Sequence, residues 1–179
     1  MPRMRKEMNI SHQVAFDIDL NLDPLWCAWF SGWVDGEGSF IAKVGKRSGK
    51  YLDRSISCIL TVMTRDDDGN LIFSGRDILK CGTVGKDVQH LGSKSYNPNR
   101  HNAIRWTCKN TGACRHILIP IFDLYPLRSK KLRDYRIWRE IVISISEDQH
   151  LDGGRNHVLD LCQQLKDIRR YVPPTLIDA

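Results

Sequence analysis

The chain has 179 residues, which is enough for one domain with a sizeable core and too few for two average domains. Hydrophobic residues make up 41% and charged residues 27%, a balance that excludes an intrinsically disordered chain. Lys and Arg outnumber Asp and Glu by 27 to 21, and the pI is near 9.1, so the charge favours a polyanionic partner such as nucleic acid.

The first 23 residues are predicted to form an N-terminal arm, because they mix arginines with acids and contain no long apolar core. The six cysteines form no Cys-x-x-Cys pair and mostly fall in apolar runs. This pattern favours buried, reduced thiols over disulfides or structural zinc. We therefore expect an intracellular, reducing location, in an organelle or a prokaryotic host, and no membrane partner, since no apolar run could cross a bilayer.

The dipeptide Asp23-Pro24 predicts the start of a helix, with Asp as N-cap and Pro at the first helical position, that ends near Gly36. Between residues 25 and 34 only Ser31 is clearly polar, so one face can pack on the core while the opposite face needs another apolar surface. The close-packing face is defined by small residues and flanking tryptophans: Ala28, Trp29, Gly32, Trp33 and Gly36.

Two interpretations of this helix stay open from periodicity. The first is a two-fold dimer in which a second copy of the helix lies on the small residues. The second is a central core helix wrapped by its own domain, with Gly32 relieving a crowded contact. In a dimer both copies of Glu37 would approach the axis beside two negative helix ends, and the carboxylates would repel unless a hard cation such as Mg²⁺ joined them.

Two strands with alternating polarity are predicted next, joined as a hairpin through residues 48–53. Their inward residues are Phe40, Ala42, Val44, Ile56, Cys58, Leu60 and Val62. Their outward residues include Ile41, Lys43, Arg47, Ser55, Ser57, Ile59 and Thr61. Mixed charged and small polar side chains on an exposed sheet face are typical of a surface that contacts DNA bases.

The rest of the chain predicts a helix through Leu79, capped by Asp66 or Asp67, and a second hairpin with Ile104, Trp106 and Cys108 inward. Helices follow over about 112–124 and 129–146, and a last apolar stripe begins after residue 154. The order is α-β-β-α-β-β-α in an α+β fold, with residues 24–150 as the core domain and 151–179 as a helical extension. Further outward candidates are Lys86, Gln89, Arg105 and Thr107.

The segment Trp29–Phe40, and FSGWVDGEG within it, resembles the LAGLIDADG motif of homing endonucleases, with Phe30 to Gly38 matching its nine positions in order. The predicted element order is also that of this family, over roughly residues 24–146. The resemblance implies an antiparallel saddle in the DNA major groove and Mg²⁺-dependent, or other divalent-cation-dependent, cleavage of a long near-palindromic site. One motif, as here, implies a homodimer.

By the same resemblance, Glu37 binds the catalytic metal, Gly36 adds a backbone oxygen, and Asp35 supports the helix end. The resemblance matches the family's active-site lysine to Lys130, with Lys131 as the second candidate. It also matches Thr64 and Arg65 to the polar groups around the cleavage site. A solvated basic face for the lysines, and a strand end for the other pair, are the alternatives that composition alone leaves open.

Two other functions fit the same residues. The first is nucleic-acid binding without cleavage, as in an intron maturase, for which the host intron RNA is the partner. The second is an unrelated α+β protein in which the apolar helix and the Gly-Glu-Gly turn have no common purpose.

Overall fold

A computed structural model describes residues 22–45, 55–88, 97, 101–151 and 153–169. Residues 1–21 of the predicted N-terminal arm and the hairpin loop at 48–53 lie outside this part. In chain order the elements are α1 (Pro24–Glu37), β1 (Gly38–Val44), β2 (Ile56–Arg65), α2 (Gly69–Leu79), β3 (Thr83–Asp87), β4 (Ala103–Cys108), α3 (Thr111–Ala113), α4 (Ile119–Leu124), α5 (Lys131–Ser146) and α6 (Arg155–Ile168).

The strands form a four-stranded antiparallel sheet in the order β1-β2-β4-β3. This arrangement confirms the predicted α+β class and both hairpins. The inward residues lie on the core side as predicted, with Cys58, Leu60, Val62 and Cys108 at 0% exposure, whereas Ala42, Val44 and Ile56 are half-buried against the core. One face of the sheet therefore carries the core, and the other face faces outward.

Aromatic side chains fill the space between the sheet and the helices. Phe40 of β1 lies 5.7 Å from Phe122 and 5.2 Å from Trp138, measured between ring centroids. Phe30 of α1 stacks on Phe122 at 5.9 Å. Large buried rings contribute strongly to folding through the apolar area that they remove from water. This packing fixes the direction in which α1 delivers its C-terminal end.

The start of α1 is as predicted. Asp23 is the N-cap, and its carboxylate accepts a hydrogen bond from the backbone N–H of Leu25 at 3.1 Å. The predicted capping of α2 by Asp66 or Asp67 is wrong. Residues 66–68 form a 3₁₀ turn, α2 has no side-chain cap, and Asp67 instead binds the guanidinium of Arg65 at 2.6 Å. An adjacent arginine competes with the backbone for that carboxylate.

The helix predicted over 112–124 is interrupted by a π-helical turn at Cys114–Leu118. The N–H of Ile119 bonds the carbonyl of Cys114, one residue further back than in an α-helix. Pro120 lacks an N–H and its ring would clash with the carbonyl four residues earlier in a regular helix, so a locally wider turn accommodates it.

The last helix confirms the predicted apolar stripe. Val158, Leu161, Cys162 and Leu165 are buried, and α6 packs against α5 and β1. This helix therefore shares the core of the sheet. The predicted division of the chain into a core domain, 24–150, and a separate extension, 151–179, stays a prediction.

The cysteines are free thiols, as predicted. All except the half-buried Cys81 are buried, and burial raises the pKa of Cys162 to about 11. Cys108 and Cys114 approach to 3.9 Å between their Sγ atoms, well beyond a disulfide bond length. No helix in the described ranges is both long and apolar enough to span a bilayer.

A carboxylate on α4 ties that helix to α5. Asp123 accepts hydrogen bonds from the Tyr135 hydroxyl at 2.6 Å and from Arg139 Nη2 at 2.8 Å. Burial by itself would raise the pKa of Asp123, but the bonds from Arg139 and Tyr135 and the positive charge of Arg139 outweigh it and lower the pKa below its usual value.

Asp123→Asn should therefore lower the free energy of unfolding by about 1 kcal/mol at neutral pH, a value reduced for solvent exposure of the pair. A depressed folded-state pKa gives stability that is present above about pH 4 and is lost as the pH falls through the folded-state value. The gap between wild type and variant should thus close in acid. Urea unfolding across a pH series checks this, and a gap that stayed constant down to the acid limit would contradict it.

Candidate active site and nucleic-acid interface

Glu37 is the last residue of α1 and directly precedes β1. Its side chain is exposed and makes no hydrogen bond or ion pair with another residue in the described part of the chain. Gly38 makes the abrupt change from helix to strand possible, because a Cβ there would lie 2.5 Å from the carbonyl oxygen of Val34. The helix end therefore places an unpaired carboxylate at the end of the sheet where β1 begins.

Asp35, the first acid of the motif, has a structural role. Its carboxylate accepts bonds from the backbone N–H of Arg128 and of Ser129, each at 3.0 Å, and from the Ser129 hydroxyl at 2.6 Å. Burial would raise the pKa of Asp35, but these bonds and the charge of Lys131 outweigh it and lower the pKa. Asp35 thus fastens the end of α1 to the start of α5. The sequence can suggest Ser129 as a cap for the start of α5, but it cannot show that Ser129 binds Asp35.

This connection brings a lysine to the motif. The ammonium of Lys131 donates to the carbonyl of Gly36 and to that of Val34, the latter at 3.4 Å. Burial lowers the pKa of Lys131, and the charges of Glu37, Asp35 and Asp134 partly offset that effect. Lys130, the preferred candidate from the sequence, is exposed at the N-cap of α5. Of the two, Lys131 is the one whose ammonium contacts the end of α1.

The C-terminal end of β2 lies at the same end of the sheet as the start of β1. Gly38 pairs with Val62, so residues 63–65 extend β2 past the start of β1 on the side of Glu37. Thr64 pairs with Ile104 and is half-buried on the core side, whereas Arg65 is exposed and bound to Asp67. The role of both residues stays a prediction.

The donor atoms at this edge fit a hard divalent cation. The Glu37 carboxylate offers oxygen ligands, and the backbone carbonyl of Gly36 directly precedes it in the chain. Within the described ranges, no group of three His, Cys, Asp or Glu side chains is arranged to hold a metal ion. The Gly36 carbonyl accepts the Lys131 ammonium, so a cation on that oxygen would have to displace it. Glu37 is therefore the main ligand that one chain offers.

The outward face of the sheet carries polar side chains, as predicted for Lys43, Ser55, Ser57, Thr61, Arg105 and Thr107. Lys43, Ser55 and Arg105 are exposed and the others, with Ile41, are half-buried. The Thr61 hydroxyl donates to the Trp106 carbonyl at 3.1 Å, and Arg105 binds Asp87 at 2.8 Å. Two further candidates, Arg47 and Gln89, lie outside the described residues.

Two assignments to the outward face need correction. Lys86 pairs with Ile104 across β3 and β4, and paired residues in an antiparallel ladder point to the same side, so Lys86 lies on the core side of the sheet. It remains exposed only because β3 is an edge strand. Ile59 points to the outward side of the sheet, as predicted. It is only 5% exposed beside its cross-strand partner Ile41, and it therefore offers little surface to DNA.

The far side of α1 is open. Leu25 is 80% exposed and Trp29 44%, and Ala28, Gly32 and Gly36 are exposed as well. A Cβ at Gly32 or at Gly36 would meet nothing within 4 Å. Trp29 stacks on the half-buried Trp33 at 5.2 Å. The helix is thus not wrapped by the described part of its own domain, and Gly32 relieves no crowding within it.

Comparison with known proteins identifies the family of this chain. The family model described as LAGLIDADG endonuclease matches residues 30–142. A probable intron-encoded DNA endonuclease 1 of Mycosarcoma maydis is 24% identical over 137 residues, covering 75% of this chain and 44% of that protein. The meganuclease I-SmaMI bound to uncleavable DNA is 25% identical with a TM-score of 0.65, covering 78% of this chain and 44% of that one.

The homing endonuclease I-TnaI has the same fold, with a TM-score of 0.63 at 21% identity, and the match covers 82% of this chain and 95% of that one. The chain therefore spans less than half the length of the curated relative, about half that of I-SmaMI, and nearly all of I-TnaI. The family match extends from the motif helix into α5 and includes Glu37 and both lysines. This chain belongs to the LAGLIDADG endonuclease family.

Proposed function

We propose that the protein is a site-specific DNA endonuclease that requires a divalent cation and acts as a homodimer on a long, near-palindromic duplex. The observation that carries this proposal is the free Glu37 carboxylate at the end of α1, with the Lys131 ammonium at the same helix end and a polar sheet face beside it. A carboxylate, a cationic side chain and a DNA-binding face are what hydrolysis of a phosphodiester needs in one place.

Glu37 would hold the cation, Mg²⁺ in the cell, which when bound supplies an activated water and stabilises the charge that develops on the phosphate. Asp35 keeps the end of α1 fixed to α5 and so keeps Glu37 and Lys131 in one arrangement. Lys131 contributes positive charge beside the scissile phosphate, where a partly buried ammonium acts more strongly than in water. The outward side chains of the sheet bind and position the duplex.

The homodimer is supported by the open face of α1 and by the lengths of the relatives. A face with exposed Leu25, Trp29 and Gly32 suits a second copy of the same helix, because the exposed glycine allows two backbones to approach closely. In that packing two copies of Glu37 come together near the axis. Relatives about twice as long would carry on one chain what this protein assembles from two.

A cleavage assay on randomised DNA duplexes tests the proposal. The protein is incubated with the library in Mg²⁺ or in EDTA, and the cut ends are sequenced. We expect cut ends in Mg²⁺ that share one long sequence with near two-fold symmetry, and staggered cuts with 3′ overhangs. Enrichment of bound but uncut duplexes in both conditions would instead indicate binding without cleavage, as in a maturase.

The two neighbouring lysines can be separated by substitution. Lys131→Met should reduce the cleavage rate by about a hundredfold, because it removes a charge held beside the scissile group. Lys130→Met, its matched control on the same turn, should have a much smaller effect, since Lys130 is exposed. Lys131→Arg, which keeps the charge, should recover part of the rate. Single-turnover cleavage rates measure this.

A thermal melt of each lysine variant accompanies the rates, because Lys131 also caps the carbonyls at the end of α1. A larger rate loss in Lys130→Met than in Lys131→Met, with both proteins folded, would return the catalytic role to Lys130.

A further inference from the structure

The last helix lies against β1, the strand at one margin of the sheet. Among the described strands β1 pairs only with β2, and α6 packs against β1. Arg169, which follows α6, donates from Nη2 to the hydroxyl of Ser39 at 2.6 Å. Ser39 has the same outward parity as Lys43, because its neighbour Phe40 is buried in the core. Arg169 thus reaches from the extension to the outward face of the sheet.

Two cavities flank this contact, and Arg169 lines both. One has a volume of about 530 Å³ and is bordered by Lys130, Lys131 and Arg133 on the side toward Glu37. The other, about 390 Å³, lies beside Ile41 and is bordered by Lys166. Asp134 and Asp167 also border the first cavity, but one carboxylate oxygen of Asp134 is buried. Five cationic side chains and two acids therefore border the two cavities beside β1.

We propose that α6 forms part of the DNA interface, with Arg169 and Lys166 binding backbone phosphates alongside β1, next to the segment that ends in Glu37. This inference rests on the proposed function, since it adds a contact to the same DNA surface. The guanidinium of Arg169 has five N–H donors, and the bond to Ser39 occupies one of them. The remaining donors suit the paired oxygens of a phosphate.

The position also favours phosphate over a base edge. Residues in the middle of the outward face can reach bases, whereas residues at the margin of the sheet meet the sugar-phosphate backbone of the same duplex. Lys166 is exposed on α6 three residues before Arg169, so the two side chains lie on one side of the helix. If Arg169 served only to tie α6 to β1, its bond to Ser39 would be sufficient. The positive charge of Lys166 beside the same cavity would then have no role.

Salt dependence of binding separates these roles. Affinity for a short fluorescent DNA duplex of arbitrary sequence is measured without divalent cation over a range of salt concentrations. Each lost phosphate contact should reduce the steepness of log affinity against log salt by about 0.9. We expect this reduction in Arg169→Gln and, independently, in Lys166→Gln. Arg169→Lys should keep the wild-type slope, and so should Ser39→Ala, because both retain the charge.

The matched control is Arg136→Gln, which removes the same charge from an exposed position of α5 that borders a different cavity. If Arg169→Gln and Lys166→Gln both bind with the slope of wild type and of the control, the inference is wrong and the proposed function is untouched. If the wild-type protein itself binds DNA with no salt dependence, both are wrong. If Arg169→Gln does not fold, Lys166→Gln is a sufficient test by itself. The Lys166 side chain makes no bond to another described residue, so the substitution should not disturb the fold.

Discussion

Glu37→Gln should eliminate strand cleavage while leaving folding, dimerisation and DNA binding close to wild type. Glutamine keeps the shape and polarity of the side chain but removes the charge that holds a divalent cation. A bound cation supplies several kcal/mol of transition-state stabilisation, and each 1.4 kcal/mol is a factor of ten, so the rate should fall by at least about a hundredfold. Single-turnover cleavage of the recovered target in Mg²⁺ measures the loss.

The control for this substitution is Glu140→Gln, an exposed glutamate on α5 that pairs with His157 far from the motif in sequence. It should cut at the wild-type rate. Because Glu37 is exposed and bonds no other described residue, its substitution should also leave the melting temperature unchanged. Wild-type cleavage by Glu37→Gln would remove the metal role, and Glu37 would then be only a turn residue between two glycines.

Gly32→Leu should separate the fold of the protomer from its self-association. Among the described residues a Cβ at position 32 meets no atom within 4 Å, and Leu favours a helix over Gly by somewhat less than the roughly 0.8–1 kcal/mol that separates Gly from Ala, so the protomer should be at least as stable as wild type. In the dimer the larger side chain appears twice at a close helix contact. Overpacking costs about 1–3 kcal/mol per copy, which should weaken dimerisation at least about thirtyfold and abolish cleavage.

Analytical ultracentrifugation over a concentration series measures the dimer, with Gln164→Leu as the control. That variant places the same side chain on an exposed site of α6, away from the helix α1, and should leave the dimer intact. An active, dimeric Gly32→Leu protein would show that α1 does not form the interface.

Local patterns were sufficient for the elements that carry the site. The Asp-Pro start and the apolar length of α1 predict the helix, and of the two interpretations that its small residues left open, the structure favours the open face. Alternation predicts the inward residues of β1, β2 and β4 correctly, because each of these strands has one buried side. The motif itself predicts where the helix ends and which carboxylate is free.

The patterns failed where a second element decides the outcome. The face of Lys86 depends on the pairing of β3 with β4, which a short edge strand with two exposed sides does not reveal. Asp67 is a different case, because both of its possible partners, the start of a helix and Arg65, are close in sequence, and the pattern does not show which one it binds. The bond from Ser129 to Asp35 and that from Arg169 to Ser39 join residues more than 90 positions apart, so only the folded chain shows them.

The most direct test of the account is to locate the cation itself in a crystal of the protein bound to its recovered DNA target. Crystals grown with Ca²⁺, and others with Mn²⁺, give anomalous signal that identifies the ion independently of any substitution. We predict an ion coordinated by the Glu37 carboxylate and a DNA phosphate, with Ca²⁺ to oxygen distances of about 2.3–2.6 Å. A DNA-bound dimer in which Glu37 contacts only solvent, with the ion held elsewhere, would contradict the central claim.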